Sequence, residues 1–128
     1  GDADKARLCT SRIIHYDPYK SASVKKIFNS LPERFIASKA QGLSGEIVYE
    51  ITGEKPDFWT VDILDGSVYV RRENSGDANT RVRISDRDMA AISMGRLDPR
   101  QGFMSQRIQV EGDVQFLMKF WRIFRRYR

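Results

Sequence analysis

The sequence predicts an α+β domain, a mainly antiparallel sheet with helices packed on one of its faces. Three observations carry this. Near the start, Val24, Ile27, Phe28 and Leu31 recur at helical spacing. The period then changes to two across SGEIVYEIT, FWTVDIL, SVYVRRE and TRVRIS, between residues 44 and 85. Helical spacing returns after Asp86 and again after Asp113. A helix, then a run of strands, then further helices is the order expected of such a layered domain.

The 128 residues suit one domain, and a chain of this length removes roughly two-thirds of its unfolded surface from water. Hydrophobic residues at 41% and charged residues at 30% place it among globular proteins rather than disordered ones. Residues 1–22 carry only weak periodicity and read as an N-terminal extension or linker, ahead of a domain over 23–128. The single cysteine, Cys9, excludes an intrachain disulfide. No apolar run approaches the ~20 residues that span a bilayer, and the N-terminus lacks the apolar core of a signal peptide, so a cytoplasmic location is expected. The net charge of +5 favours anionic partners in a general way. Much of it lies in KFWRIFRRYR, the last ten residues, with Lys119, Arg122, Arg125, Arg126 and Arg128.

In chain order, the first helix runs from Ser23 and meets Pro32, which breaks or kinks it, with Phe35 and Ile36 continuing it for a turn. In the strands, Ile47, Tyr49 and Ile51, then Trp59, Val61 and Ile63, then Val68 and Val70, then Val82 and Ile84 point inward. Glu46, Glu50, Asp62, Arg71, Arg81 and Arg83 point to a wet outer face. Asp65-Gly66 marks a tight hairpin, and GEKPD and ENSGDAN supply the other turns. Ser85 with Asp88 forms a capping pair for a helix over Asp86 to Met94, which Gly95 ends. Asp98-Pro99 opens a short helix to about Met104. RIQVE is a fifth strand with Ile108 and Val110 inward, and Asp113 caps a final helix. On that helix, polar Gln115, Lys119, Arg122 and Arg126 share an arc of roughly 60°. The apolar remainder is about twice the ~100° stripe that a surface helix needs.

The chemistry-bearing residues are few. Cys9 and His15 lack a third orienting group and an oxyanion site. Asp86, Asp88, Asp98 and Asp113 read as helix caps, and neither a phosphate-binding glycine loop nor zinc-ligand spacing occurs, so no metal or cofactor is expected. The outer sheet face mixes Glu with Arg and carries no RNA-binding strand signature, so no nucleic acid is expected.

The stretch Gly95-Arg96-Leu97-Asp98-Pro99, Gly102-Phe103-Met104, Arg107 to Asp113, and Met118-Lys119 resembles the signature of the SCP-2 sterol carrier family. That pattern runs approximately G-K-L-N-P, A-F-M, a strand alternating basic and apolar residues, then G-D or G-N opening a helix that ends near M-K-L. The strand TRVRIS and the helix DRDMAAISMG precede it in the family's order, and the likeness covers about Ser23 to Phe124. Two positions depart from it. Gly102 stands where alanine is usual, and Gln106 takes the place of the glycine in the common Q-G-K. The eukaryotic carriers' C-terminal peroxisomal tripeptide is also absent, since the chain ends Arg126-Tyr127-Arg128.

The resemblance implies a five-stranded mixed sheet covered on one face by helices, with an apolar tunnel between the layers and no catalytic residues. The tunnel of the family takes fatty acyl chains, sterols, phospholipids or isoprenoids. The expected function is therefore non-enzymatic lipid binding, with transfer or presentation of the lipid. The expected site is the apolar surplus on Met89, Ile92, Phe103, Met104, Phe116, Leu117, Phe120 and Phe124, with Phe103 and Met104 facing inward against the final helix. Arg122, Arg125, Arg126 and Arg128 are placed to meet an anionic membrane surface. The alternative is an accessory domain for a partner domain or homodimer, including an accessory role in ubiquinone biosynthesis.

Overall fold

The computed structural model describes residues 21–54 and 56–125; Cys9, His15, Arg126, Tyr127 and Arg128 lie outside the described residues. Helix α1 (Ser21–Asn29) buries Val24, Ile27 and Phe28, the face that its spacing predicts. Ser30 ends it by donating its hydroxyl to the Ile27 carbonyl at 2.7 Å, and Pro32 sits at the start of a single further turn, α2 (Leu31–Arg34). The expected continuation through Phe35 and Ile36 does not form. Phe35 turns into extended backbone and bridges antiparallel to Phe124. A 3-10 turn over Ala37–Lys39 then leads into the sheet.

The strands are β1 (Gly45–Thr52), β2 (Asp57–Leu64), β3 (Ser67–Arg71), β4 (Thr80–Ser85) and β5 (Ile108–Gly112), in spatial order β3-β2-β1-β4-β5. All neighbours are antiparallel except β1 and β4, which run parallel. The inner face carries the residues that the period-two pattern selects, and Ile47, Ile51, Val61, Ile63, Val82 and Ile108 are fully buried there. Phe28 packs between sheet side chains, stacked on Trp59 at 5.0 Å between ring centres and edge-on to Tyr49 at 5.2 Å. Asp65 and Gly66 both take positive φ, 51° and 76°, as the tight hairpin between β2 and β3 requires.

The outer face is only partly wet, which corrects the sequence-based expectation. Because β4 lies beside β1 and not beside β3, residues 72–79 must cross the back of β2 and β1 to reach it. Thr60 donates its hydroxyl to the Glu73 carbonyl at 2.7 Å, and the Arg81 guanidinium reaches the Ser75 carbonyl and Asn74 Oδ1. Val48 and Thr60, register partners on that outer face, are fully buried. Around the crossing segment the outer face is held by ion pairs, Arg71 with Glu46 and Asp62, and Arg83 with Glu50. Exposed pairs of this kind contribute little individually.

The remaining elements are helix α3 (Asp86–Ser93), the short α4 (Pro99–Met104) and α5 (Val114–Phe120). Three caps fall where the sequence puts them. Ser85 accepts from the Asp88 N–H, Asp98 from the Arg100 N–H and Asp113 from the Phe116 N–H. Asp86 and Asp88 are not caps themselves but first-turn residues, and Asp86 is buried.

Two expectations fail for definite reasons. The final helix stops at Phe120, and Trp121 to Arg125 turn back toward α2, so the expected helical arc is interrupted there. Met104 is 82% exposed rather than inward. In α4 the buried position is Gly102, where an added Cβ would lie 2.6 Å from the Ile108 side chain. Met104, two residues on, is rotated by about 200° to the opposite side. Phe103, between them, is half-buried.

Gln106, which stands where the resemblance expects glycine, has φ 65°. An L side chain in that left-handed region costs roughly 1–2 kcal/mol. Gln106→Gly is therefore expected to raise stability by about 0.5–1 kcal/mol in urea unfolding, with the gain trimmed by a freer unfolded chain. Gly112 is the opposite case, since φ is 109° and a Cβ would sit 2.2 Å from the Asn79 carbonyl oxygen. Gly112→Ala should lower stability by at least about 2 kcal/mol in the same measurement.

Candidate functional site

Between the inner sheet face and the helices lies a cleft of about 490 Å³. Tyr49 from β1, Val82 and Ile84 from β4, and Ile108 from β5 form its floor. Register explains the set, since Tyr49 pairs with Val82, and Ile84 with Ile108. The walls are Phe28 and Leu31 on one side and Met89, Ile92 and Ser93 of α3 on the other. Leu97 and Pro99 continue the second wall, and Phe120, Trp121 and Phe124 close the end. Volume and lining both fall within the range of small-molecule sites, which are mostly apolar with a few placed polar groups.

The end wall is an aromatic ladder. Phe120 lies 6.4 Å from Phe116 and 5.0 Å from Phe124, and Phe124 lies 5.8 Å from Phe35. Tyr49, fully enclosed, tilts against Phe120 at 6.3 Å. Burial pushes its phenol well above the ordinary value, outweighing the downward pulls of a hydrogen bond from the Trp121 side chain and of the Arg34 charge. The hydroxyl is therefore neutral and presents a hydrogen-bonding group without a charge.

The charged and polar side chains of the lining are Arg34, Ser93, Asp98 and Arg125, of which Ser93 is buried and Asp98 and Arg125 are exposed. The Arg34 guanidinium is fixed by three acceptors, Ser30 Oγ at 3.0 Å, the Arg125 carbonyl at 2.9 Å and the Ile27 carbonyl at 3.2 Å. Among the described residues no group of three His, Cys, Asp or Glu side chains converges as metal ligands would. No helix among them is long and apolar enough to cross a membrane.

Of the eight residues singled out from the sequence, Met89, Ile92, Phe120 and Phe124 line the cleft. Leu117 is wholly buried in the core behind it. Phe116 is also buried, its ring filling the space where a Cβ at Gly45 would come within 2.7 Å. Phe103 and Met104 do not line the cleft. The lining residues absent from the sequence-predicted set include Phe28, Leu31, Tyr49, Val82, Ile84, Leu97, Ile108 and Trp121. All but Trp121 sit at positions that the sequence marks correctly as inward-facing, signature or apolar helical, and only tertiary placement separates a core residue from a cleft residue.

The comparisons with known proteins agree with this architecture. The model of the SCP-2 sterol transfer family matches residues 25–125. Among curated proteins, the non-specific lipid-transfer protein-like 1 of Caenorhabditis elegans is 28% identical over 97 residues, covering 73% of this chain and 82% of the relative. Among solved structures, the sec-alkylsulfatase Pisa1 of a Pseudomonas species superimposes with a TM-score of 0.70 at 17% identity, over 79% of this chain but 16% of the sulfatase. Palmitated SCP2L2 of Aedes aegypti superimposes with a TM-score of 0.63 at 22% identity, over 78% of this chain and 92% of that one. At these identities the structures establish the fold alone. A sheet in the order β3-β2-β1-β4-β5 under a helical layer, together with a family match across nearly all the described residues, makes the chain a member of the SCP-2 sterol transfer family.

Proposed function

We propose that the cleft holds the apolar part of a lipid and that the domain carries or presents that lipid without catalysing a reaction. The observation that carries this reading is the cleft itself, about 490 Å³ of space floored by the sheet and lined mostly by apolar side chains, with Arg34, Ser93, Asp98 and Arg125 among them. A lipid has the matching chemistry, a long apolar chain and a polar end. Met89, Ile92, Phe120 and Phe124 supply the sequence-predicted part of the lining, and Trp121, Leu97 and Ile108 are among the apolar residues that extend it. Met89, unbranched and only slightly exposed, lets the wall adapt to chains of different shape. The name of the worm relative, a lipid-transfer protein, supports the same reading.

A second reading is favoured by the sulfatase, in which the matching region is a small part of a larger chain. There the domain would serve as an accessory or dimerisation module and the cleft would stay empty. Native mass spectrometry separates the two readings, because bound lipid supports the carrier whereas an empty stable dimer supports the module.

The direct test is displacement of a fluorescent fatty acid by a panel holding a fatty acid, a sterol, a phospholipid and a polyprenyl quinone. At least one is expected to compete. Ile92 is half-buried on the cleft wall, so Ile92→Asp places a carboxylate against the bound chain. Affinity should fall at least about tenfold, the consequence of desolvating an unpaired charge. Met104→Asp, on the exposed side of α4, should leave both affinity and melting temperature unchanged. If no lipid competes, or if Ile92→Asp binds as well as the parent chain, the carrier reading is wrong.

A further inference from the structure

We propose that a basic depression formed by Lys39, Lys119 and Arg122 docks the domain on phosphate headgroups of an anionic bilayer; this rests on the carrier reading. The depression, about 190 Å³, has Leu43 and Ile123 at its base and Gln41 on its rim. All three cations are exposed, and none has a carboxylate partner among the described residues. This differs from the outer sheet face, where Arg71 and Arg83 each meet an acid. Among the described residues no acidic side chain lines the depression. Three cations lining one depression suit a phosphodiester, whose oxygens accept several charge-assisted hydrogen bonds.

Position favours a bilayer over an acidic protein. Lys119 and Phe120 are neighbours on α5, and the first faces the depression while the second faces the cleft. Arg122 and Ile123 border the depression, whereas Trp121, Phe124 and Arg125 border the cleft. One short segment thus borders both, so headgroups held at the depression lie within a few residues of Arg125 and the cleft lining. A protein partner would need about 800 Å² of complementary surface on each side, and the depression is small and ringed by solvated long side chains.

The test is co-sedimentation with vesicles of phosphatidylcholine alone and of phosphatidylcholine with phosphatidylglycerol. The parent chain is expected on the anionic vesicles and not on the neutral ones, with binding lost as salt is raised. Reversal of all three charges, Lys39→Glu with Lys119→Glu and Arg122→Glu, should weaken binding on the order of a hundredfold, about what three basic residues contribute at an anionic surface. A control of equal charge, Lys25→Glu with Arg83→Glu and Arg100→Glu, should weaken it much less. The proposal is overturned if the two triple variants behave alike, which would leave only net charge. It is also overturned if the parent chain ignores both vesicles while retaining a polyglutamate peptide, which would point to an acidic protein. Fatty-acid probe displacement without vesicles is measured on every variant. Its loss in the parent chain removes the carrier reading, whereas normal displacement without vesicle binding removes only the docking surface.

Discussion

Two backbone hydrogen bonds organise the business end of this domain. The Ile36 N–H donates to the Ile123 carbonyl and the Arg125 N–H to the Arg34 carbonyl, each at 2.7 Å. Each contributes about 0.5–1.5 kcal/mol net, little more than the helical bonds they replace. Burial also holds the turned-back segment. Ile123 is 1% exposed there, and Phe124 packs between Phe35 and Phe120. Burying an isoleucine or phenylalanine side chain contributes roughly 1.5–3 kcal/mol, more than either backbone bond supplies. The same contact fixes the Arg34 guanidinium through the Arg125 carbonyl and sets the end wall of the cleft.

The features that were legible in the sequence are those with a local cause. Ser85, Asp98 and Asp113 cap because a side-chain oxygen reaches a backbone N–H two or three residues ahead, and spacing alone encodes that. Asp65-Gly66 turns because both positions tolerate positive φ. The strands announce their inner face by alternation. The features that were not legible depend on residues far apart in the chain. Alternation assigns Val48 to the wet side, and only the parallel pairing of β1 with β4 sends residues 72–79 over it. Helical periodicity in FWRIFRRYR is real as a pattern, yet it competes with a partner strand some ninety residues away.

The candidate site shows the same division. Apolar character selected Met89, Ile92, Phe120 and Phe124, which lie on the cleft, but it selected Phe116 and Leu117 equally, and these fill the core behind. No sequence signal distinguishes a wall from the packing behind it, because both need the same side chains. Phe103 and Met104 misled for a different reason. Their bulk drew attention, whereas the residue that seats α4 on the sheet is Gly102, chosen for what it lacks. Met104 is left at 82% exposure, beside a Gln106 held at positive φ where glycine would be unstrained. The two departures from the family pattern therefore fall close together, Gly102 within α4 and Gln106 on its link to β5.

That α5 is short has a consequence for how charge and apolar surface can coexist. Over two turns, Phe116, Leu117 and Phe120 face inward while Gln115 and Lys119 stay in water, an ordinary amphipathic division. Had the helix continued, Arg122 would have followed Lys119 along that solvated stripe and Ile123 would have gone inward, away from any cation. The turn at Trp121 instead lays Ile123 between Leu43 and the long stems of Lys119 and Arg122, so apolar base and cationic rim come from adjacent residues. Such stems cover apolar surface while keeping their charges in water. On the other side of the same five residues, Trp121 and Phe124 face the cleft. The chain reversal thus sets Ile123 beside Leu43 and the cationic stems while Trp121 and Phe124 stay on the cleft, so one short segment borders both spaces.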